Sequence, residues 1–419
     1  MAKIVLATFG SLGDLHPKIA LALGLKKRGH DVSVASMEFY REKINMLGLG
    51  FHPMAPHLDP NDRELLPDLV DERKGPEALL KGIIMPALRQ MFADLMSAVE
   101  GADLLVTGEV VFVARSVVEK TGVRWVSTSL APISFFSAYD PLVPPTAGWL
   151  ENLRFLGPTF HRGLYTLMKW SIGKWFGDYW KFRRDIGLPD GENPLFGGKF
   201  SNLLHLAMFS RVLAVPQPDW PPQTVQAGFC FYDGHADLGN IPEELENFLN
   251  AGDPPIVFTL GSAAVVDARD FFEQSAEAAR KLGRRAALIY GIFSEPPKGL
   301  DENVIGVEYA PYSQVFKRAA CVVHQGGVGT TGQVLRAGVP QLIMPFSHDQ
   351  PDNAARCRRL GVAEVIARNN YNADSASEML DRILSEPSYA EKAKRAADIV
   401  RSEHGTKTAC DEIERVLRN

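Results

Sequence analysis

Short apolar runs separated by stretches of mixed polarity set the rhythm of this chain. In the first half they are "KIVLATF", "DVSVAS", "ADLLVTG" and "RWVSTS"; in the second, "PPIVFTLGS", "AALIYG", "NVIGVEYA", "CVVHQGG" and "PQLIMPF". Each run is too short for a helix and most are rich in β-branched residues. The stretches between them carry helical spacing, so the pattern predicts βαβ units around parallel sheets. The two series are parted by the proline-rich "VPQPDWPPQTVQAGF". An α/β protein of two Rossmann-like parallel-sheet domains is therefore expected: an N-terminal domain over 1–215, a connection over 216–235 and a C-terminal domain over 236–400. From Ser375 the pattern is helical, in "SASEMLDRILSE" and "YAEKAKRAADIVRSEH", and a last helix is expected over 401–419.

One region departs from the alternation. Between Ile133 and Arg184 lie four of the six tryptophans, in a stretch that includes "LMKWSIGKWFGDYW". Leu164, Leu167, Met168, Ile172, Trp175, Phe176 and Tyr179 fall at helical spacing, opposite Lys169, Lys174, Asp178 and Lys181. The plain reading is a helix packed on the first domain. The sharper readings, compatible with it, are that the aromatics line a pocket for an apolar ligand or rest against a membrane interface.

Composition narrows the classes. At 419 residues the chain exceeds one ordinary core. With 46% hydrophobic and 23% charged residues it resembles a soluble globular protein, and no apolar stretch is long enough to span a bilayer. The start "MAKIVLATFGSLGD" reads as a first strand rather than a signal peptide, so a cytoplasmic location is expected. Cys230, Cys321, Cys357 and Cys410 are scattered without metal-ligand spacing and are expected to be packing residues, with neither a disulfide framework nor a metal site. A net charge of −5 without a long basic run points away from nucleic acid and towards small molecules.

Two glycine turns carry the candidate chemistry. "GSLGDLHP", Gly10 to Pro17, joins a strand to a helix in the manner of turns that cradle phosphate with backbone N–H groups, yet Asp14 in its middle would repel a phosphate. The second turn, within "HQGGVGTTGQVLRAGVPQLIMPFSHDQPDN", satisfies the dinucleotide pattern G-x-G-x-x-G from Gly327 to Gly332, with Asp349 about twenty residues on. A dinucleotide fingerprint belongs to the first strand–helix turn of its domain, whereas strands near Ile256, Ala286 and Val304 precede this one. A nicotinamide-dependent oxidoreductase is thus the minor reading. What remains is a backbone that can approach a diphosphate at a helix N-terminus, with His324 as an added donor at the strand end. A sugar nucleotide suits that arrangement; the alternative for His324 is a satisfied strand-end histidine.

The segments "HQGGVGTTGQVLRAGVPQLIMPFSHDQPDNAAR", "GSLGDLHP" and "FTLGSAA" resemble the family 1 nucleotide-sugar glycosyltransferases of GT-B fold, over essentially the whole chain. The branch most similar, through "DWP", "FYDG" and "HDQPDNA", is the bacterial one that includes the rhamnosyltransferase chain of rhamnolipid synthesis. The resemblance implies two Rossmann-like domains facing a cleft, acceptor on the first and donor on the second, and a final helix that returns to the first domain. It further implies inversion in one displacement without a metal, and the chain has no D-x-D.

Carried over by position, His324, the backbone of Gly327, Val328 and Gly329, and the Thr330 hydroxyl would contact the donor phosphates, with Ser262 in "LGS" lining the diphosphate. Tyr309 and Ala310 in "EYAP" occupy the base-binding segment. Asp349 and Gln350 match the pair that hydrogen-bonds the sugar hydroxyls, where a helix cap is the plain alternative. Gly332 stands where plant members carry a ribose-binding glutamate, and Gln333 replaces an acid frequent in bacterial relatives. That leaves room for a dTDP-sugar, so dTDP-L-rhamnose or UDP-glucose is the expected co-substrate, with no other cofactor.

Asp14 takes the place of the histidine base of plant relatives and would accept the acceptor's hydroxyl proton. His16 is the rival base, or a cap for a helix that Pro17 begins. Glu109 in "VTGEVV" reads first as a surface or acceptor-facing glutamate, with a partner of the base as the alternative. The expected reaction is hexose transfer to a hydroxyl of an apolar or aromatic small molecule such as a flavonoid or a hydroxy-lipid. A non-catalytic sugar-nucleotide or lipid carrier is the alternative from another class. Peripheral membrane contact through the aromatic stretch stays open.

Overall fold

The computed structural model describes residues 1–59, 66–233, 239–262, 264–291 and 294–418. Its first sheet has seven strands: β1 (Lys3–Ala7), β2 (Asp31–Ser36), β3 (Gly50–Pro53), β4 (Leu104–Thr107), β5 (Arg124–Ser129), β6 (Leu204–Ala207) and β7 (Thr224–Gln226). Its second has six: β8 (Ile256–Thr259), β9 (Ala286–Ile289), β10 (Val304–Val307), β11 (Cys321–His324), β12 (Gln341–Ile343) and β13 (Ala363–Val365). The strand orders are 3-2-1-4-5-6-7 and 10-9-8-11-12-13, with every pairing parallel. Helices cover both faces of such sheets, so their strands are apolar throughout rather than alternating. Ile4, Val5 and Leu6 in β1 and Ile256, Val257 and Phe258 in β8 are accordingly fully buried.

In each sheet the strand order reverses at its first strand. β1 lies between β2 and β4, and β8 lies between β9 and β11. Ligands of open parallel sheets bind beyond the carboxyl ends of strands at such switch points. The turns leaving β1 and β11 are the two glycine turns, and the turn leaving β8 carries Ser262.

The stretch 216–235, expected as a connection, contributes β7 to the first sheet, so that sheet extends past residue 215. Three residues just after a proline cluster show no periodicity, which hides them from pattern reading. The boundary expected between 235 and 236 falls in 234–238, outside the described residues, as does residue 419. β3, β6 and β13 were likewise too short or too mixed to register as apolar runs.

The helix Leu12–Lys27 starts five residues ahead of Pro17, contrary to the expectation that Pro17 begins it. Ser11 and Asp14 form a capping box that nucleates the helix earlier, and Pro17 lies inside. The last helix, Gly405–Arg418, packs on this first helix. Arg28 bonds Asp411 at 2.7 Å and Glu414 at 3.0 Å, and Arg124 caps the carbonyls of Val416 and Leu417. The four cysteines are free and buried.

Candidate active site

At the end of β1 the chain turns sharply through Gly10, which has φ of +131°. A Cβ there would lie 2.3 Å from Asp14 Oδ2, so only glycine admits the carboxylate. Ser11 N–H donates to Asp14 Oδ2 at 2.9 Å, while Ser11 Oγ accepts from Gly13 N–H at 3.1 Å. The Asp14 carboxylate is thus both the reciprocal half of a helix cap and a group at the cleft. His16 sits two residues on, about 200° around the helix, and its ring lies 5.0 Å from that of Tyr232. The fold therefore sends the two rival bases to different places, Asp14 to the cleft and His16 against the chain that leaves the first sheet.

On the opposite side, β11 delivers His324 into the core. It is fully buried: Nδ1 accepts from Gly326 N–H at 3.0 Å, and Nε2 bonds Gln341 Oε1 at 2.8 Å. Burial pulls its pKa down to about 4, so the ring is neutral. With both nitrogens engaged, His324 here holds the glycine turn from behind instead of offering a donor to the cleft, which corrects the expected phosphate contact. The turn itself opens the helix Val328–Ala337, whose first N–H groups have no intrahelical partner. Gly327 and Val328 are partly exposed, Gly329 is exposed, and Thr330 is buried.

The N–H of Val328 is occupied: Asp349 Oδ2 accepts from it at 3.1 Å and from Asn353 Nδ2 at 2.7 Å. Asp349 is thereby held at the mouth of the helix Val328–Ala337. Gln350, expected beside it on the sugar, turns its Oε1 inward to accept from Phe346 N–H at 2.8 Å. Ser262 is exposed on the turn after β8 and Tyr309 is exposed after β10, whereas Ala310 is fully buried, main chain included.

Sequence reasoning missed Gln325. Its amide runs between the turns that follow β8 and β11, since a Cβ on Gly261 would lie 2.3 Å, and one on Gly327 3.0 Å, from Gln325 Nε2. Its Oε1 is buried with no hydrogen-bond partner among the described residues. The residue stands inside the quoted "HQGG" motif, so position was the available signal.

The glycine turns meet across the cleft. A Cβ on Gly329 would be 3.9 Å from Gly13 Cα. Burial pushes the Asp14 carboxyl up to about 7; the Ser11 N–H lowers it, Asp349 across the cleft raises it, Lys18 lowers it and Glu109 raises it. Asp349 is likewise pushed up to about 6, chiefly by burial. Glu109, at the end of β4, accepts from Leu130 N–H at 3.0 Å and from the Ser134 hydroxyl, with Lys199 Nζ at 3.4 Å. It is therefore fixed in the wall of the cleft beside Asp14, and not at the free surface.

Lys18 was also missed. It is fully buried, one helical turn beyond Asp14, and bonded to the Thr128 hydroxyl. Burial pulls its pKa down to about 8. Its position on the apolar stripe with Leu21 and Leu25 was the signal in the sequence.

Gly332 is lined by the Phe229 ring, 3.0 Å from where its Cβ would stand, and Gln333 Nε2 donates to Asp233 at 3.2 Å. The two positions at which a carboxylate was expected in relatives are thus spent on packing against the chain between the sheets. Among the described residues, no group of three or more His, Cys, Asp or Glu side chains is arranged to hold a metal ion, and no helix is long and apolar enough to cross a membrane.

Residues 4–94 match the glycosyltransferase family 28 N-terminal domain, and residues 295–415 match the erythromycin biosynthesis protein CIII-like C-terminal domain. Over 433 aligned residues the chain is 32% identical to O-mycaminosyltylonolide 6-deoxyallosyltransferase of Streptomyces fradiae, covering 98% of this chain and 97% of that one. The chain belongs to the family 1 glycosyltransferases. Among solved structures, the glycotransferase of kitacinnamycin superposes with a TM-score of 0.76 at 21% identity over 99% of both chains. The glycosyltransferase VinC, solved in complex with dTDP, superposes with a TM-score of 0.67 at 19% identity over 99% of both. The two parallel-sheet domains of this glycosyltransferase are therefore a GT-B fold, and its activity is sugar transfer from a nucleotide sugar to a small-molecule acceptor.

Proposed function

We propose that this glycosyltransferase inverts the anomeric centre in one displacement without a metal, with Asp14 as general base. The acceptor hydroxyl, held at the first glycine turn, attacks the anomeric carbon. Its oxygen forms the new glycosidic bond, its proton passes to Asp14, and the sugar–phosphate bond breaks with its electron pair leaving on the diphosphate. The N-terminus of the helix Val328–Ala337, through the N–H groups of Gly329 and Thr330, favours the charge of that leaving group. The observation that carries the reading is the Asp14 carboxyl at the cleft with its pKa raised to about 7, because a base works best when its pKa lies near the operating pH.

The donor proposed is a dTDP-activated hexose, dTDP-L-rhamnose ahead of UDP-glucose. The ring of Phe229 fills the place of a ribose-binding carboxylate at Gly332, and a relative of the same fold is described with dTDP. The acceptor is an apolar or aromatic alcohol, in keeping with the aromatic stretch between Ile133 and Arg184.

The test is donor consumption with both nucleotide sugars against a flavonoid and a 3-hydroxy fatty acid ester, with Asp14→Asn as control. Transfer from one donor, abolished in the variant, supports the reading and ranks the donors. Nucleotide binding without transfer or hydrolysis would replace it with a carrier.

A further inference from the structure

Seven of the fourteen large hydrophobic side chains exposed among the described residues lie between Tyr139 and Trp170. All but Tyr139 fall on a 3-10 helix, Gly148–Leu156, and the α-helix Gly157–Gly173 that continues it. The inner face of the α-helix packs on the first domain through Tyr165 and Met168, against Ala138 and Leu142. The expected apolar face is therefore correct in part: Met168, Ile172, Trp175, Phe176 and Tyr179 turn inward, whereas Leu167 points to solvent.

A second apolar stripe runs along the outside. Leu156, Phe160, Leu167 and Trp170 follow one another at intervals of three, four or seven residues, the spacing of one helix face. Trp149 and Phe155, the latter 80% exposed, extend it at the N-terminal end.

The one acidic residue of Gly148–Gly173, Glu151, is bonded to Arg358 and Arg359, and the exposed charges along this face have one sign. From Asn152 to Gly177 the chain carries Arg154, Arg162, Lys169 and Lys174 and no Asp or Glu, in a protein whose net charge is −5. Arg162, Lys169 and Lys174 are exposed beside the stripe, and Lys174 Nζ lies 3.9 Å above the Trp170 ring. Exposed tryptophan and phenylalanine on one face of a helix, flanked by cations, are the complement of an anionic bilayer surface: apolar rings enter the headgroup boundary and cations meet lipid phosphate. A neutral surface would leave these cations uncompensated, and a purely polar one would leave the rings unburied.

We infer that the outer face of Gly148–Gly173 docks this enzyme onto an anionic membrane surface. The inference goes beyond the reaction proposed above and does not depend on it, because the face lies on the solvent side of the helix and its test reads binding, not turnover.

The experiment is flotation of the purified full chain with phosphatidylcholine vesicles and with vesicles in which a third of the lipid is phosphatidylglycerol. Binding to the anionic vesicles alone, weakened by salt, is expected. Lys169→Glu with Lys174→Glu should cut the bound fraction by roughly tenfold or more. Phe160→Ser with Leu167→Ser and Trp170→Ser should cut it equally, with thermal melting showing both variants folded. Absence of binding to anionic vesicles at low salt, or binding unchanged by the serine substitutions, overturns the inference. So does a concentration-dependent dimer that the serine substitutions abolish without any vesicle binding, since a second copy would then be what covers the face.

Discussion

At the scale of single residues, substitution can separate the helix cap that Asp14 completes from its proposed role as base. Asn at this position still accepts from Ser11 N–H but cannot take a proton. Asp14→Asn should therefore keep its melting behaviour and lose about 10²- to 10⁴-fold in kcat. Asp14→Ala should lose the same activity and in addition about 1 kcal/mol of stability with the cap, read by denaturant unfolding. The raised pKa values have a sign for stability as well. Asp14 and Asp349 bind protons more tightly folded than unfolded, so their contribution is fully present below about pH 4 and is lost as pH rises through about 6 to 7. Asp14→Asn should flatten that part of the stability profile. In the pH dependence of kcat/KM, the wild type should rise with unit slope to about pH 7 and then level. Lys18→Met removes the buried cation that lowers Asp14, so the rising limb should move to higher pH while the fold is retained or strengthened, a buried cation bonded to a neutral hydroxyl being costly. An unmoved limb would show that Lys18 does not act on Asp14.

The elements were legible in proportion to their length and regularity. β1, β2, β4, β5 and β8 to β12 stand out as apolar runs because both faces of a parallel sheet are covered. The three-residue β7 and β13 carry no such signal. In the helix Leu12–Lys27 the capping box was written in Ser11 and Asp14, but Pro17 drew attention as a starting residue, and the earlier cap prevails because it satisfies two N–H groups at once. At the second glycine turn, what the motif could not reveal is which groups already occupy the helix mouth. Asp349 on Val328 N–H and Gln325 between the turns leave Gly329, Thr330 and Ser262 for the proposed donor site. Gln325→Leu fills the same space without the unpaired acceptor. It should leave thermal stability unchanged or slightly raised, and should raise KM for the nucleotide sugar by roughly tenfold if the donor satisfies that oxygen, as one hydrogen bond is worth about 1 kcal/mol. An unchanged KM with unchanged kcat would remove Gln325 from the donor site.

Over the whole molecule the two domains are joined by a buried ion network. Arg356, almost completely buried, bonds Asp352 at 2.7 Å within its own domain, and reaches Asp140 and, at 3.1 Å, the Leu213 carbonyl of the other; Asp352 also accepts from Val143 N–H at 2.9 Å. Arg356→Met should cost about 3–5 kcal/mol in chemical denaturation, since it leaves the fully buried Asp352 carboxylate without its cation. A cost within about 0.5 kcal/mol, that of an ordinary surface change, would place the domains' cohesion elsewhere.

The sequence by itself determined the alternation of strands and helices, the two-sheet division, the glycine turns at the strand ends, and the placement of an aspartate in the first of them. These depend on neighbours a few residues apart and on the covering of both sheet faces. Only the tertiary structure decided that His324 turns into the core, that Asp349 caps a helix begun 21 residues earlier, that Lys18 is buried beneath Asp14, and that Asp349 raises the Asp14 carboxyl across the cleft. Each of those outcomes rests on desolvation and on partners brought together from distant positions, and neither quantity is present in the local order of residues.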